Sequence, residues 1–141
     1  MTYKMITLTL LIIGTLMSST ASAHNHDPLG GSLNNAFSSW GSPSLRGDWQ
    51  IVEDNGNYFI ELSDNFKAKQ GPDVKIFLSP TAADDVTGNN AVDGSVFVTQ
   101  ISDFEGSARF AIPAGTDVSQ FESLVFHCEA FSKLWGSSAL R

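Results

Sequence analysis

Two residues, Asn55 and Gly56, do most to limit what this chain can become. They lie between Gly47-Asp-Trp-Gln-Ile-Val-Glu53 and Asn57-Tyr-Phe-Ile-Glu-Leu-Ser63, two runs that suit strands. Asn-Gly supplies the two positive-φ positions of a type I′ turn, whose twist matches that of paired strands. With those residues at the tip, the predicted pairs are Glu53 with Tyr58, Ile51 with Ile60 and Trp49 with Leu62. These share one face, apolar except next to the turn; Val52 with Phe59 and Gln50 with Glu61 share the other. A slip of one residue would send every side chain to the wrong face, so the register is firm.

The rest of the chain repeats this theme. Val74, Ile76 and Leu78 alternate with Asp73, Lys75 and Ser79 after a Gly71-Pro72 break. Ser95–Ile101 reads as a strand with apolar groups on both sides, and Ser107–Ile112 as one that stops at Pro113, which has no amide hydrogen. Ser123–Cys128 and a last segment from Phe131 to Leu140 complete about seven short strands. Thr81 and Asp84 are spaced as a capping box, and Asp117-Val-Ser-Gln120 reads as a capped single turn. No long 3.6-residue periodicity occurs. The fold class expected is all-β, an antiparallel β-sandwich of about seven short strands with one or two short helical turns.

The N-terminal end has a different character. Lys4, an apolar run from Met5 to Met17 and Ala21-Ser22-Ala23 have the order of a secretory signal peptide over residues 1–23. The run falls short of the ~20 apolar residues that span a bilayer. No cysteine follows it for acylation, and no second hydrophobic stretch exists, so no membrane span is expected after signal removal. Residues 24–44 are rich in Gly, Ser, Asn and Pro and read as a flexible leader; Phe37 and Trp40 suggest that part of it packs onto the domain at 45–141. The expected address is periplasmic or extracellular, which the absence of Asn-x-Ser/Thr acceptors fits.

The formal charge of −7 becomes one unit more negative once Lys4 is removed. Such a surface repels nucleic acid and anionic lipid, so neither is an expected partner, and it keeps an exported protein soluble. Gly-x-Ser-x-Gly, Gly-rich phosphate loops, His-Glu-x-x-His and Cys-x-x-Cys are absent, which removes support for a hydrolase. The calcium-loop spacing is also missing, and Asp54 and Asp84-Asp85 sit where solvated turns occur.

Chemistry beyond acid–base work rests on Cys128, the sole cysteine. It shares a strand face with Leu124 and Phe126, while Val125 and His127 point the other way. His127 therefore does not form a direct Cys–His pair with its neighbour. Two readings follow. Cys128 is a small hydrophobe of the core, where the reactive thiolate is disfavoured. Alternatively it is a redox thiol or a cofactor ligand, since a free thiol in an oxidising compartment is otherwise a liability. At the mature N-terminus, cleavage after Ala23 would put His26 third after a free amine; with His24-Asn25-His26 this is a square-planar Cu(II) or Ni(II) pattern, the plainer alternative being two idle histidines.

Several segments in fixed order carry a resemblance: Gly47-Asp-Trp-Gln-Ile, Leu62-Ser-Asp-Asn-Phe66, Gly71-Pro-Asp-Val-Lys-Ile-Phe-Leu-Ser79, Ala111-Ile-Pro-Ala-Gly-Thr-Asp-Val118, Leu124-Val-Phe-His-Cys-Glu-Ala-Phe131 and Trp135-Gly-Ser-Ser-Ala-Leu140. Over Leu45–Leu140 the chain resembles the DM-thirteen family, the electron-transfer DM domain. That resemblance implies a β-sandwich-like extracytoplasmic domain whose hallmark cysteine, here Cys128, acts in redox as a bare thiol or by holding a prosthetic group such as haem. It implies an exported redox partner, and a component of electron transfer rather than a complete enzyme. His127 stands where the family usually has a large aromatic residue, which makes it a second candidate ligand. With no Cys-x-x-Cys-His site, any haem would be held non-covalently. The competing reading is an exported β module that binds a protein or glycan through its loops, with Cys128 as a core thiol.

Overall fold

The computed structural model describes residues 29–35 and 44–141. Ten strands occur there: β1 Gly30–Ser32, β2 Leu45–Arg46, β3 Asp48–Asp54, β4 Asn57–Leu62, β5 Lys67–Ala68, β6 Val74–Ser79, β7 Val96–Gln100, β8 Ala108–Ala111, β9 Ser123–Cys128 and β10 Lys133–Ala139. Two four-stranded sheets, ordered β1-β3-β4-β8 and β10-β9-β6-β7, form a sandwich with a small β2-β5 pair beside it. Every pairing is antiparallel.

The β3–β4 hairpin has the predicted register, with Trp49 opposite Leu62, Ile51 opposite Ile60 and Glu53 opposite Tyr58. Asn55 (φ 52°) and Gly56 (φ 79°) are both left-handed, as the turn requires. Trp49, Ile51, Ile60 and Leu62 face the second sheet, meeting Val74, Ile76, Leu78, Leu124 and Phe126 in one buried cluster. Burying each such side chain contributes about 1.5–3 kcal/mol. The indole N–H of Trp49 donates to Ser138 Oγ in β10 at 3.1 Å, so the layers are tied by a polar contact as well. On the outer face Arg109 lies 4.0 Å over the Phe59 ring and reaches Asp54 at 3.0 Å.

Three of the ten strands, β1, β2 and β5, are not among the predicted seven. At two or three residues each they are too short to show alternation. β1 lies inside the stretch read as a leader: Gly30 pairs with Gln50, and Leu33 just beyond is fully buried. A Cβ on Gly30 would sit 2.5 Å from the Trp49 carbonyl oxygen, so a glycine that reads as linker composition here permits close backbone approach. Among the described residues of this stretch, Leu33 and Leu29 pack onto the core; Phe37, Trp40 and residues 1–23, expected as a signal peptide, lie outside the described residues.

The helical turns also differ in place. Val118–Gln120 is a 3-10 turn capped by Asp117, as expected, and two more occur at Leu33–Asn35 and Glu129–Phe131. Thr81–Asp84, expected to open a helix, forms turns instead. Ser123 Oγ donates to the Thr81 carbonyl at 2.7 Å and Ser137 Oγ donates to that of Ala83, so serines of β9 and β10 take carbonyls that a helix would need. Among the described residues no helix is long and apolar enough to cross a membrane.

Candidate functional site around Cys128

β9 is the one long strand buried at every position, because it is central in its sheet and covered on both faces. Leu124, Phe126 and Cys128 face the inter-sheet core, where the Phe126 ring stacks on Phe66 at 5.9 Å. Val125 faces outward into a second, smaller cluster with Phe77, Val86, Ala91 and Leu134, roofed by the chain that follows β6. Alternation along the strand therefore gives the facing that the structure shows.

Cys128 is the last residue of β9 and is fully buried (0 % exposed). Its backbone pairs with Val74 of β6 and Lys133 of β10. Immediately after it the chain leaves the sheet through the 3-10 turn Glu129–Phe131, and Ser132 closes that turn in the left-handed conformation. The turn is exposed, Phe131 most of all at 67 %. It is held down by Asp73, whose carboxylate accepts from the Ala130 amide at 2.9 Å and whose carbonyl accepts from the Glu129 amide at 3.3 Å. The Lys75 ammonium bridges the Glu129 carboxylate and that of Asp73. These contacts hold the Lys75 pKa above its usual range, the Glu129 hydrogen bond contributing most.

His127 occupies the outward face, opposite Lys75 in β6 and Leu134 in β10. It is 2 % exposed, edge-on to the Phe77 ring at 6.4 Å, and its Nδ1 has no hydrogen-bond partner. Burial pushes its pKa below the usual imidazole value; Glu129, a hydrogen bond with the Lys133 backbone and Asp73 oppose that shift, and Lys75 adds to it. An unpartnered ring nitrogen in an apolar cluster is a destabilising feature of the folded state.

The structure thus separates the two candidate ligands by one sheet. Among the described residues no three His, Cys, Asp or Glu side chains converge on a point that could hold a metal ion. His24 and His26 lie outside those residues, and the Cu(II) expectation with them. A haem needs an open apolar slot leading to its axial ligand; Cys128 and His127 are instead buried against close-packed side chains on opposite faces, so the arrangement does not fit that group. What sequence reasoning did not find is the Asp73–Lys75–Glu129 cluster. Alternation put Lys75 on a strand face, but its partner Glu129 is 54 residues away.

The comparison with protein families decides the lineage: the model described as Electron transfer DM13 matches residues 37–140. The chain belongs to the electron transfer DM13 family. Among curated proteins and among solved structures, nothing matches it. The DM13 match takes in β2 to β10, and β1 (Gly30–Ser32) lies before it in the chain.

Proposed function

We propose that this DM13 protein is exported and passes electrons between thiol partners through Cys128. The observation that carries the reading is the position of the sulfur: the sole cysteine of an electron-transfer family member lies at the last residue of β9, one short exposed turn from solvent. The reading requires the Glu129–Phe131 turn to lift away from Asp73 and admit a partner to the buried sulfur.

The chemistry suited to a single thiol is disulfide exchange. The Cys128 thiol gives its proton to water, and the thiolate attacks one sulfur of a partner's disulfide. A Cys128–partner disulfide forms and the partner's other sulfur leaves as a thiolate. The first thiolate of a donor dithiol then attacks the Cys128 sulfur, displacing the partner, and the donor's second thiolate closes its own disulfide and releases Cys128. Two electrons move from donor dithiol to partner disulfide, and Cys128 ends as it began. In cells, Cys128→Ala abolishes mixed disulfides trapped in the envelope and shifts the thiol redox state there; an unchanged envelope contradicts the proposal.

A second reading is favoured by the complete burial of Cys128 beside Leu124 and Phe126: an exported binding module in which the thiol only fills space. Thiol titration of the native and the unfolded protein separates the two, because a thiol that serves only as packing reacts after unfolding alone.

A further inference from the structure

At the edge of the sandwich where β7 and β8 lie across from one another, the loop between them and β5 line a solvent-open cleft of about 620 Å³. That volume is within the range of small-molecule sites, roughly 300–1,000 Å³. Its apolar lining comes from Ala68, Phe104, Ala108 and Phe110, which also pack against the main core. The two phenylalanines are only half-buried, so part of each ring is left over for something else. Around them stand the solvent-exposed side chains of Gln70, Gln100, Ser102, Asp103 and Ser107, which make no hydrogen bond within the described residues.

The rim is held in place. The Ala68 amide donates to the Phe104 carbonyl at 2.7 Å and the Gly106 amide to that of Phe66 at 2.9 Å. Lys67 and Glu105 face each other in a bridge and join their side chains at 3.2 Å. That pairing consumes the one cation of the lining and leaves Asp103 as its unpaired charge. With Lys67 set against Asp103 and Glu105 the lining is net negative, which disfavours an anionic ligand.

We infer that this cleft binds a neutral carbohydrate. Aromatic rings present a negative face to the partly positive C–H surface of a sugar ring. Two carboxamides, a carboxylate and two hydroxyls supply both donors and acceptors for adjacent sugar hydroxyls. The backbone hydrogen bonds of the rim hold its main chain in place, which lowers the ordering cost of binding. The site shares no residue with Cys128 or the turn beyond it, so it stands or falls independently of thiol exchange.

The test is a titration of the protein with cellobiose, maltose, chitobiose and, as a charged probe, glucuronate, followed by backbone amide NMR. At least one neutral disaccharide shifts amides within 67–70 and 100–110, glucuronate does so more weakly, and Gln100→Ala and Asp103→Ala each weaken binding about tenfold with the fold intact. Phe110→Ala should abolish binding, but it removes core packing too, so the two exposed variants are the decisive ones. No shift with any neutral probe, shifts centred elsewhere, or glucuronate binding as well as the disaccharides overturns the inference.

Discussion

His127 and Cys128 are consecutive residues of β9 and lie on opposite sides of its sheet, the sulfur in the inter-sheet core and the imidazole in the outer cluster with Phe77 and Val125. Neither side chain can assist the other directly. Whatever each contributes, it contributes through the strand they share and through the turn that follows it.

That turn should control access to the sulfur. Asp73 accepts the Ala130 amide and shares Lys75 with Glu129. Asp73→Asn keeps the size but loses the charge. Alkylation of Cys128 in the native protein should speed up severalfold, with a much smaller change in the urea midpoint. Equal labelling rates in the two proteins would mean that Asp73 does not govern opening.

Acidification should destabilise the fold through His127. Its folded pKa lies below the ordinary 6.5, because burial disfavours the charged ring. The unfolded chain therefore binds the proton more readily, so stability is complete above the unfolded value and is lost as pH falls from there toward the folded one. The urea midpoint should fall as the pH is lowered through the ordinary imidazole value and below it. His127→Phe, which suits the cluster around Phe77, should flatten that dependence and hold or raise stability at neutral pH. Asp117 is kept below its usual value chiefly by the Ser119 hydroxyl and titrates in a lower range.

Ser138→Ala should cost about 1–3 kcal/mol, because it strands the part-buried indole N–H of Trp49. Arg109→Ala should cost no more than about 1 kcal/mol, since its contacts with Asp54 and Phe59 are exposed. Chemical denaturation of both variants checks the contrast.

Gly30→Ala tests whether β1 is an integral strand. The added methyl would meet the Trp49 carbonyl, and relief requires moving the edge strand off β3. A loss of about 1–3 kcal/mol and faster amide exchange at Ile51, which donates to the Leu29 carbonyl, are the expected results.

How far the sequence reveals this molecule depends on the range of each interaction. The hairpin at Asn55-Gly56 is legible to the residue, since turn chemistry and a period of two act locally and agree. The two faces of β9 are legible for the same reason. Ser95–Ile101 is ambiguous in sequence because its apolar groups do serve two layers: Val96 and Val98 pack on the main core, while Phe97, 49 % exposed, meets Phe77 on the outside. Local spacing misleads at Thr81–Asp84 because Ser123 and Ser137, far along the chain, take its carbonyls. The Lys75–Glu129 contact and the cleft between β7 and β8 exist only once distant strands are paired, and no local pattern announces them.

Incubating the native protein with a glutathione redox couple, then reading the mass of Cys128, bears most directly on thiol exchange. The account predicts a glutathione mixed disulfide at Cys128 that forms without denaturant, reverses on reduction and forms faster in Asp73→Asn. A thiol that stays unmodified until the fold is broken would contradict it.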